Sequence, residues 1–266
     1  MTDNWDFYFL TVDERPASIY VDLDAKDQAP VTSLPNLAYL RLYMRAPRQD
    51  GLSSQEEFDI LSAIEDSLTA TLTPEGSTDT AYVGRCTTND RRDFYFYVAR
   101  EEDWEARVAA ALSPYPDYQF ETGTRPEPGW DAYFDFLIPG PEDQERIQNR
   151  RVCMHLEEHG DALTEAREID HWAYFPTEAA RDAYLGAAAA LGYVASLEES
   201  GDDGEDQGDD TESTEGSDPA ERYCARLRRV DVPGFGNIDE VILPLYRLAR
   251  EHGGRYDGWE TFIVQP

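Results

Sequence analysis

Twice along this chain the apolar pattern runs strand, helix, strand, strand, helix, strand, and no other feature limits the fold as closely. The first run covers residues 37–122. Its strands are 37–45, 80–87, 93–99 and 118–122. Its first helix starts at Ser54, where Ser54 and Glu57 form a capping box ahead of an apolar stripe of Phe58, Leu61, Ile64, Leu68 and Leu72. Its second, 101–112, places Trp104, Val108 and Leu112 in register. The second run begins with a strand over 168–175 and an Ala-rich helix over 177–191. A strand over 192–197, one over 222–232, a helix capped by Asn237 with Glu240, and a closing strand follow. Each run is the order of a split βαβ sandwich. The expected fold is therefore α+β, two ferredoxin-like (βαββαβ) domains with antiparallel sheets.

The first domain should carry extra strands. Residues 5–12 and 17–23 read as a hairpin turned by Glu14-Arg15-Pro16, and 130–138 alternates Trp130, Ala132, Phe134, Phe136 and Ile138 against polar neighbours. Pro139-Gly140-Pro141 then breaks the pattern, which gives domains of 1–139 and 140–266, the second opening on a helix from Pro141 to His159. The closing strand alternates as well. Tyr256, Gly258, Glu260, Phe262 and Val264 should line one side, and Asp257, Trp259, Thr261 and Ile263 the other.

Charge narrows the partners. The chain has 55 acidic against 23 basic residues, a formal charge of −32. Eleven acids and no base fall in 198–218, a block too poor in apolar residues to order itself, so a disordered acidic loop is expected there. With those eleven removed, 44 acids remain, so the imbalance pervades the chain. Direct binding to nucleic acid, which needs Lys and Arg to displace counterions, is not expected; basic protein surfaces suit better. The three cysteines, Cys86, Cys153 and Cys224, form no CxxC pair, the usage of a reducing compartment. No basic, apolar signal region and no run of membrane-spanning length appears, so a cytoplasmic protein is expected.

Few residues carry chemistry. His155-Leu156-Glu157-Glu158-His159 matches the inverted zinc-protease spacing H-x-x-E-H, but it sits in the last turn of its helix, where histidines commonly serve the helix dipole. There is no G-x-S-x-G elbow and no phosphate-binding loop. Val83-Gly84-Arg85-Cys86-Thr87 reads as a strand rather than a nucleophile, and Pro233-Gly234-Phe235-Gly236-Asn237 as a turn. No catalytic residue, cofactor site or metal site is assigned. Arg222, Arg226 and Arg228 share one strand face, where pairing with Glu198, Glu199 or other carboxylates is favoured over anion binding; Arg229 points the other way.

The C-terminal half resembles the RraB family, regulators of ribonuclease activity B that inhibit the endoribonuclease RNase E. The resemblance rests on His159-Gly160-Asp161 with Leu163, Arg167-Glu168-Ile169-Asp170-His171-Trp172, Tyr174-Phe175, Gly192-Tyr193, the acidic insertion and, most specifically, Gly254-Arg255-Tyr256-Asp257-Gly258-Trp259-Glu260-Thr261. It implies a ferredoxin-like, cytoplasmic, non-enzymatic regulator that binds the nuclease. The N-terminal half resembles an uncharacterised bacterial domain found upstream of RraB-like domains, through Gly51-Leu52, Tyr82-Val83-Gly84-Arg85 with Thr87, and Phe94-Tyr95-Phe96-Tyr97. That likeness implies no function.

The expected partner is thus an RNase E-type endoribonuclease, bound through acidic and aromatic surface of the C-terminal domain. The candidate binding residues are Asp257, Trp259 and Glu260 on the last strand and His171 and Trp172 on the first strand beside it. An immunity-type or scaffold protein for another basic partner, and a zinc hydrolase using His155, Glu158 and His159, are the alternatives.

Overall fold

The computed structural model describes residues 4–196 and 222–265. The acidic block 198–218 lies outside them. The chain divides into two compact units, Met1–Ile147 and Gln148–Pro266. It is α+β, with one antiparallel sheet in each unit, of six strands and of four.

In the first unit the strands are β1 (Trp5–Val12), β2 (Arg15–Asp22), β3 (Asn36–Tyr43), β4 (Thr80–Thr88), β5 (Arg91–Val98) and β6 (Phe120–Pro126), in the order β1-β2-β4-β5-β3-β6. Helices α1 (Phe58–Leu72) and α2 (Trp104–Ala111) fill the two crossovers. Two-residue turns with both residues at positive φ close the hairpins: Asp13-Glu14 joins β1 to β2, and Asn89-Asp90 joins β4 to β5. Such turns match the twist of paired strands. The first lies one residue earlier than the sequence suggests, and Pro16 sits in β2 opposite Thr11, ahead of the β4 pairing that begins at Ala17.

The stripe on α1 buries Leu61, Ile64, Leu68 and Leu72 against Leu40, Leu42, Phe94 and Phe96, while Phe58 stays exposed. Only half of the capping box forms. Ser54 Oγ accepts from the Glu57 amide at 3.2 Å, but the Glu57 carboxylate accepts from the amides of Arg45 and Ala46 and from the Tyr118 hydroxyl, all at 2.8 Å. A tertiary demand for an acceptor outweighs the local one.

Residues 130–138 are not a strand. Ala132–Leu137 forms a π-helical segment, with Ile138 N–H donating to the Tyr133 carbonyl at 3.0 Å. Trp130, Tyr133 and Leu137 are the buried positions, so a helical spacing coexists with the alternation in this stretch, and burial of the larger rings decides between them. The Trp130 indole stacks on Tyr97 at 4.0 Å and donates to the Leu34 carbonyl at 3.0 Å. Leu137 approaches Gly84, where an added Cβ would lie 3.3 Å from the leucine and 2.7 Å from the Tyr20 carbonyl. This segment covers the sheet face opposite the helices, so the first sheet is packed on both sides.

In the second unit β7 (Arg167–Phe175), α4 (Glu178–Ala190), β8 (Val194–Ala195), β9 (Tyr223–Asp231), α5 (Asn237–Glu251) and β10 (Arg255–Glu260) follow one another, and the sheet order is β10-β7-β9-β8. As in the four strands β3 to β6, the unit's first strand lies between its third and fourth. Thr177 Oγ1 caps α4 by accepting from the Ala180 amide at 3.2 Å. Gly236, not Asn237, occupies the cap position of α5; Asn237 is the first helical residue and makes no side-chain cap bond. Ile238, Val241, Ile242, Leu245 and Ala249 of α5 pack with Ile169, Ala173, Phe175 and Leu227 of the sheet. Helix α3 (Pro141–Glu158) adds Cys153 and Leu156 to the same core.

Candidate binding face of the second sheet

Because side chains alternate along a strand, β7 settles which residues can meet a partner. Arg167, Ile169, His171, Ala173 and Phe175 are buried toward the helices. Glu168, Asp170, Trp172 and Tyr174 occupy the opposite face and keep solvent access. His171 and Trp172, neighbours in sequence, therefore cannot serve one surface. His171 is fully buried. Its Nδ1 lies 3.0 Å from the Tyr256 hydroxyl, its ring meets Tyr193 edge-on at 5.4 Å, and its Nε2 has no hydrogen-bond partner among the described residues. Burial, with Arg229 nearby and Asp170 opposing, pulls its pKa from 6.5 down to about 3, so the imidazole is neutral.

The closing strand departs from simple alternation. Tyr256 pairs with Ala173 and Gly258 with Trp172, so Asp257 is an extra residue in a bulge, with Gly258 at φ 130°. The bulge shifts the phase and puts Tyr256 and Trp259 on the same, buried side. The Trp259 indole donates to Asn149 Oδ1 at 2.9 Å, and Asn149 Nδ2 donates to Asp239 at 2.8 Å, tying β10 to α3 and α5. Asp257 and Glu260 remain exposed, and Arg255 pairs with Asp257. The expected adjacency of the two strands holds, with Trp259 opposite His171 and Glu260 opposite Asp170. Of the five candidate residues, Trp172, Asp257 and Glu260 are available at the surface, whereas His171 and Trp259 are interior.

The open face is arginine-lined but charge-matched. Arg226 on β9 lies over the Trp172 ring at 5.3 Å and meets Asp170 at 3.4 Å; Arg228 reaches Asp170 at 3.1 Å and Glu168 at 3.6 Å. Arg255 lies over Tyr174 at 5.6 Å. Arg226 and Arg228 pair with carboxylates, as the sequence suggests, and the carboxylates are those of β7; Glu198 and Glu199 lie outside the described residues. Arg229 points inward, over Tyr193 at 4.0 Å and against Asp231 at 2.7 Å. Tyr174 belongs to the face and escapes sequence reasoning, although counting two residues on from Trp172 finds it. Val194 and Val230 add exposed apolar surface on the neighbouring strands.

The end of the chain is clamped beside this sheet. Asp161 and Arg167, both almost fully buried, pair at 2.6 Å. The Asp161 carboxylate also accepts from the Leu163 amide at 2.8 Å and the Val264 amide at 2.9 Å. Desolvation raises its pKa, but the bonds from Val264, Leu163 and Arg167 outweigh it and hold the group below its ordinary value.

His155 lies in the last turn of α3 and His159 just beyond its end. His155 and His159 are exposed, and His159 Nδ1 lies 2.7 Å from the His155 carbonyl oxygen. Among the described residues no group of three or more His, Cys, Asp or Glu is placed to hold a metal ion. All three cysteines are free, with Cys86 and Cys153 buried. Among the same residues no helix is long and apolar enough to cross a membrane.

Comparison with known proteins divides the chain as its structure does. A family described as "Family of unknown function (DUF695)" matches residues 3–138. A family described as "Regulator of ribonuclease activity B" (RraB) matches residues 146–261. No curated protein matches. Among solved structures, a crystal structure of an unknown protein from Galdieria sulphuraria is 13% identical over 84% of this chain and 96% of that one, with a TM-score of 0.21. At that score it carries no argument about the fold.

Proposed function

The chain belongs to the family of unknown function DUF695, and we propose that it works as a non-enzymatic regulator whose second unit binds an RNase E-type endoribonuclease and restrains RNA cleavage. The observation that carries this reading is the match of residues 146–261 to the regulators of ribonuclease activity B. The chemistry of the second sheet supports it. A four-stranded sheet with helices on one face offers the other to a partner, and here that face carries Trp172, Tyr174 and exposed valines beside paired charges. Aromatic residues half-covered by arginine and ringed by carboxylates are the composition of a protein-binding patch. Trp172, Asp257 and Glu260 are the contacts; His171 and Trp259 shape the surface from within. The chain's charge of −32 steers it toward a basic partner, with an association rate that falls as salt rises.

A reconstituted assay tests the reading. The purified chain is added to a purified RNase E-type endoribonuclease cleaving a fluorogenic RNA. Saturable inhibition at low micromolar concentration supports it. An unchanged cleavage rate, together with no complex by analytical ultracentrifugation, contradicts it.

A further inference from the structure

A cavity of about 390 Å3 opens on the face of the first sheet that carries the π-helical segment. That volume lies near the lower end of small-molecule sites, roughly 300–1,000 Å3. Strand register builds its floor. Tyr39 on β3 stands opposite Tyr95 on β5, and Arg41 stands opposite Asp93, two residues along on each strand. Phe136, from the π-helical segment, closes over Tyr95 with ring centroids 5.8 Å apart.

The charges in the cavity do not balance within its lining. Three guanidinium groups, from Arg41, Arg91 and Arg125, accompany a single lining carboxylate, Asp93. Asp93 is shared: it accepts from Arg41 Nε and Nη2 at 2.9 and 3.0 Å, and from Arg91 Nε at 3.3 Å. Arg125 is held by Glu127 at 2.7 Å. Among the described residues no second carboxylate forms an ion pair with Arg41 or Arg91, whose side chains are only 30% and 23% exposed. Two part-buried guanidiniums on one carboxylate leave a poorly hydrated positive charge and donor groups suited to the planar oxygens of an anion. In a chain of charge −32, general surface attraction for anions is absent, so any anion binding is a property of this arrangement.

We propose that this cavity binds a small planar aromatic anion, its ring against Tyr39, Tyr95 and Phe136 and its carboxylate or phosphate on Arg41 and Arg91. The binding is non-covalent. Cys86, also in the lining, is a buried thiol whose pKa burial and the charge of Asp93 push up to about 12, so it presents no thiolate.

The test is a titration of the isotope-labelled full chain, followed by amide NMR shifts, with two anions and their uncharged counterparts: 4-hydroxybenzoate against 4-hydroxybenzamide, and adenosine 5′-monophosphate against adenosine. At least one anion should shift the amides of Tyr39, Tyr95 and Phe136 with Kd below about 1 mM. Its neutral counterpart should bind at least about tenfold more weakly, as should Arg91→Gln, with the remaining spectrum preserved. Whichever anion binds assigns the source as carboxylate or phosphate. Phe136→Ala, which leaves every arginine in place, should weaken the same anion. The proposal is overturned if neither anion shifts these amides, if a neutral counterpart binds as well as its anion, or if both variants bind like the parent chain.

Discussion

Lowering the pH from about 7.5 to about 5.5 should cost the second unit close to 1.4 kcal/mol of stability through one side chain, His171. The unfolded chain protonates this residue with a pKa near 6.5, whereas the folded chain holds it neutral down to about 3. A depressed histidine pKa gives stability that is complete above the unfolded value and is lost as pH falls below it, because only the unfolded state takes up the proton. At pH 5.5 the unfolded state is about tenfold more proton-bound than not, and RT ln(1 + 10) is about 1.4 kcal/mol. The figure is insensitive to the folded value as long as that lies below about 4.5. The structural cause is specific: no exposure, the Tyr256 hydroxyl on one ring nitrogen, no partner among the described residues on the other, and Arg229 close by. Hydrogen exchange of the β7 and β9 amides across this pH range, corrected for intrinsic rates, reads the change. His171→Gln should be less stable at about pH 7.5 and should lose most of the pH dependence. If the parent and His171→Gln fall equally between the two pH values, or if the His171 ring titrates near 6.5 by NMR, the burial argument is wrong.

Two further perturbations follow from the same unit. Asp161→Ala strips a buried arginine of its only ion-pair partner among the described residues and leaves the Leu163 and Val264 amides without their acceptor, so urea denaturation should show a loss of about 3–5 kcal/mol. In the parent chain the Asp161 contribution is present above its ordinary pKa and disappears as pH falls through the lowered folded value, so it adds to acid sensitivity only in strongly acid solution. Gly258→Ala meets no atom within 4 Å, yet Gly258 sits at φ 130°, so a loss of about 1–3 kcal/mol should arise from the backbone alone; a neutral substitution would remove the bulge as the reason Trp259 turns inward.

The strand and helix order of both units was legible because it rests on long periodic runs, such as Leu61, Ile64, Leu68 and Leu72 on α1, whose burial repays the pattern at every turn. What was not legible depended on single residues acting at a distance. Residues 130–138 satisfy two periodicities, and only the seat beneath Tyr97 and beside Gly84 selects the helical one. Glu57 carries a capping signature but answers backbone donors of a preceding loop. On β10 one inserted residue reverses the facing of Trp259, and nothing short of the pairing with β7 reveals it. The candidate surface suffered from that bulge and from grouping His171 with Trp172, though strict alternation along β7 separates them. Trp172, Tyr174 and their arginine neighbours were within reach of the sequence, since each lies two residues from the next.

The central claim is that the open face of the second sheet, through Trp172, engages an RNase E-type endoribonuclease. The measurement that tests it most directly is the affinity of the full chain for that purified nuclease, beside Trp172→Ala and Trp259→Phe, by fluorescence anisotropy at two salt concentrations. Trp172→Ala should fold as the parent does and bind about tenfold or more weakly. Trp259→Phe should lose stability, through its bond to Asn149, yet bind normally once folded. Equal affinity of Trp172→Ala and the parent chain, both folded, would contradict the claim.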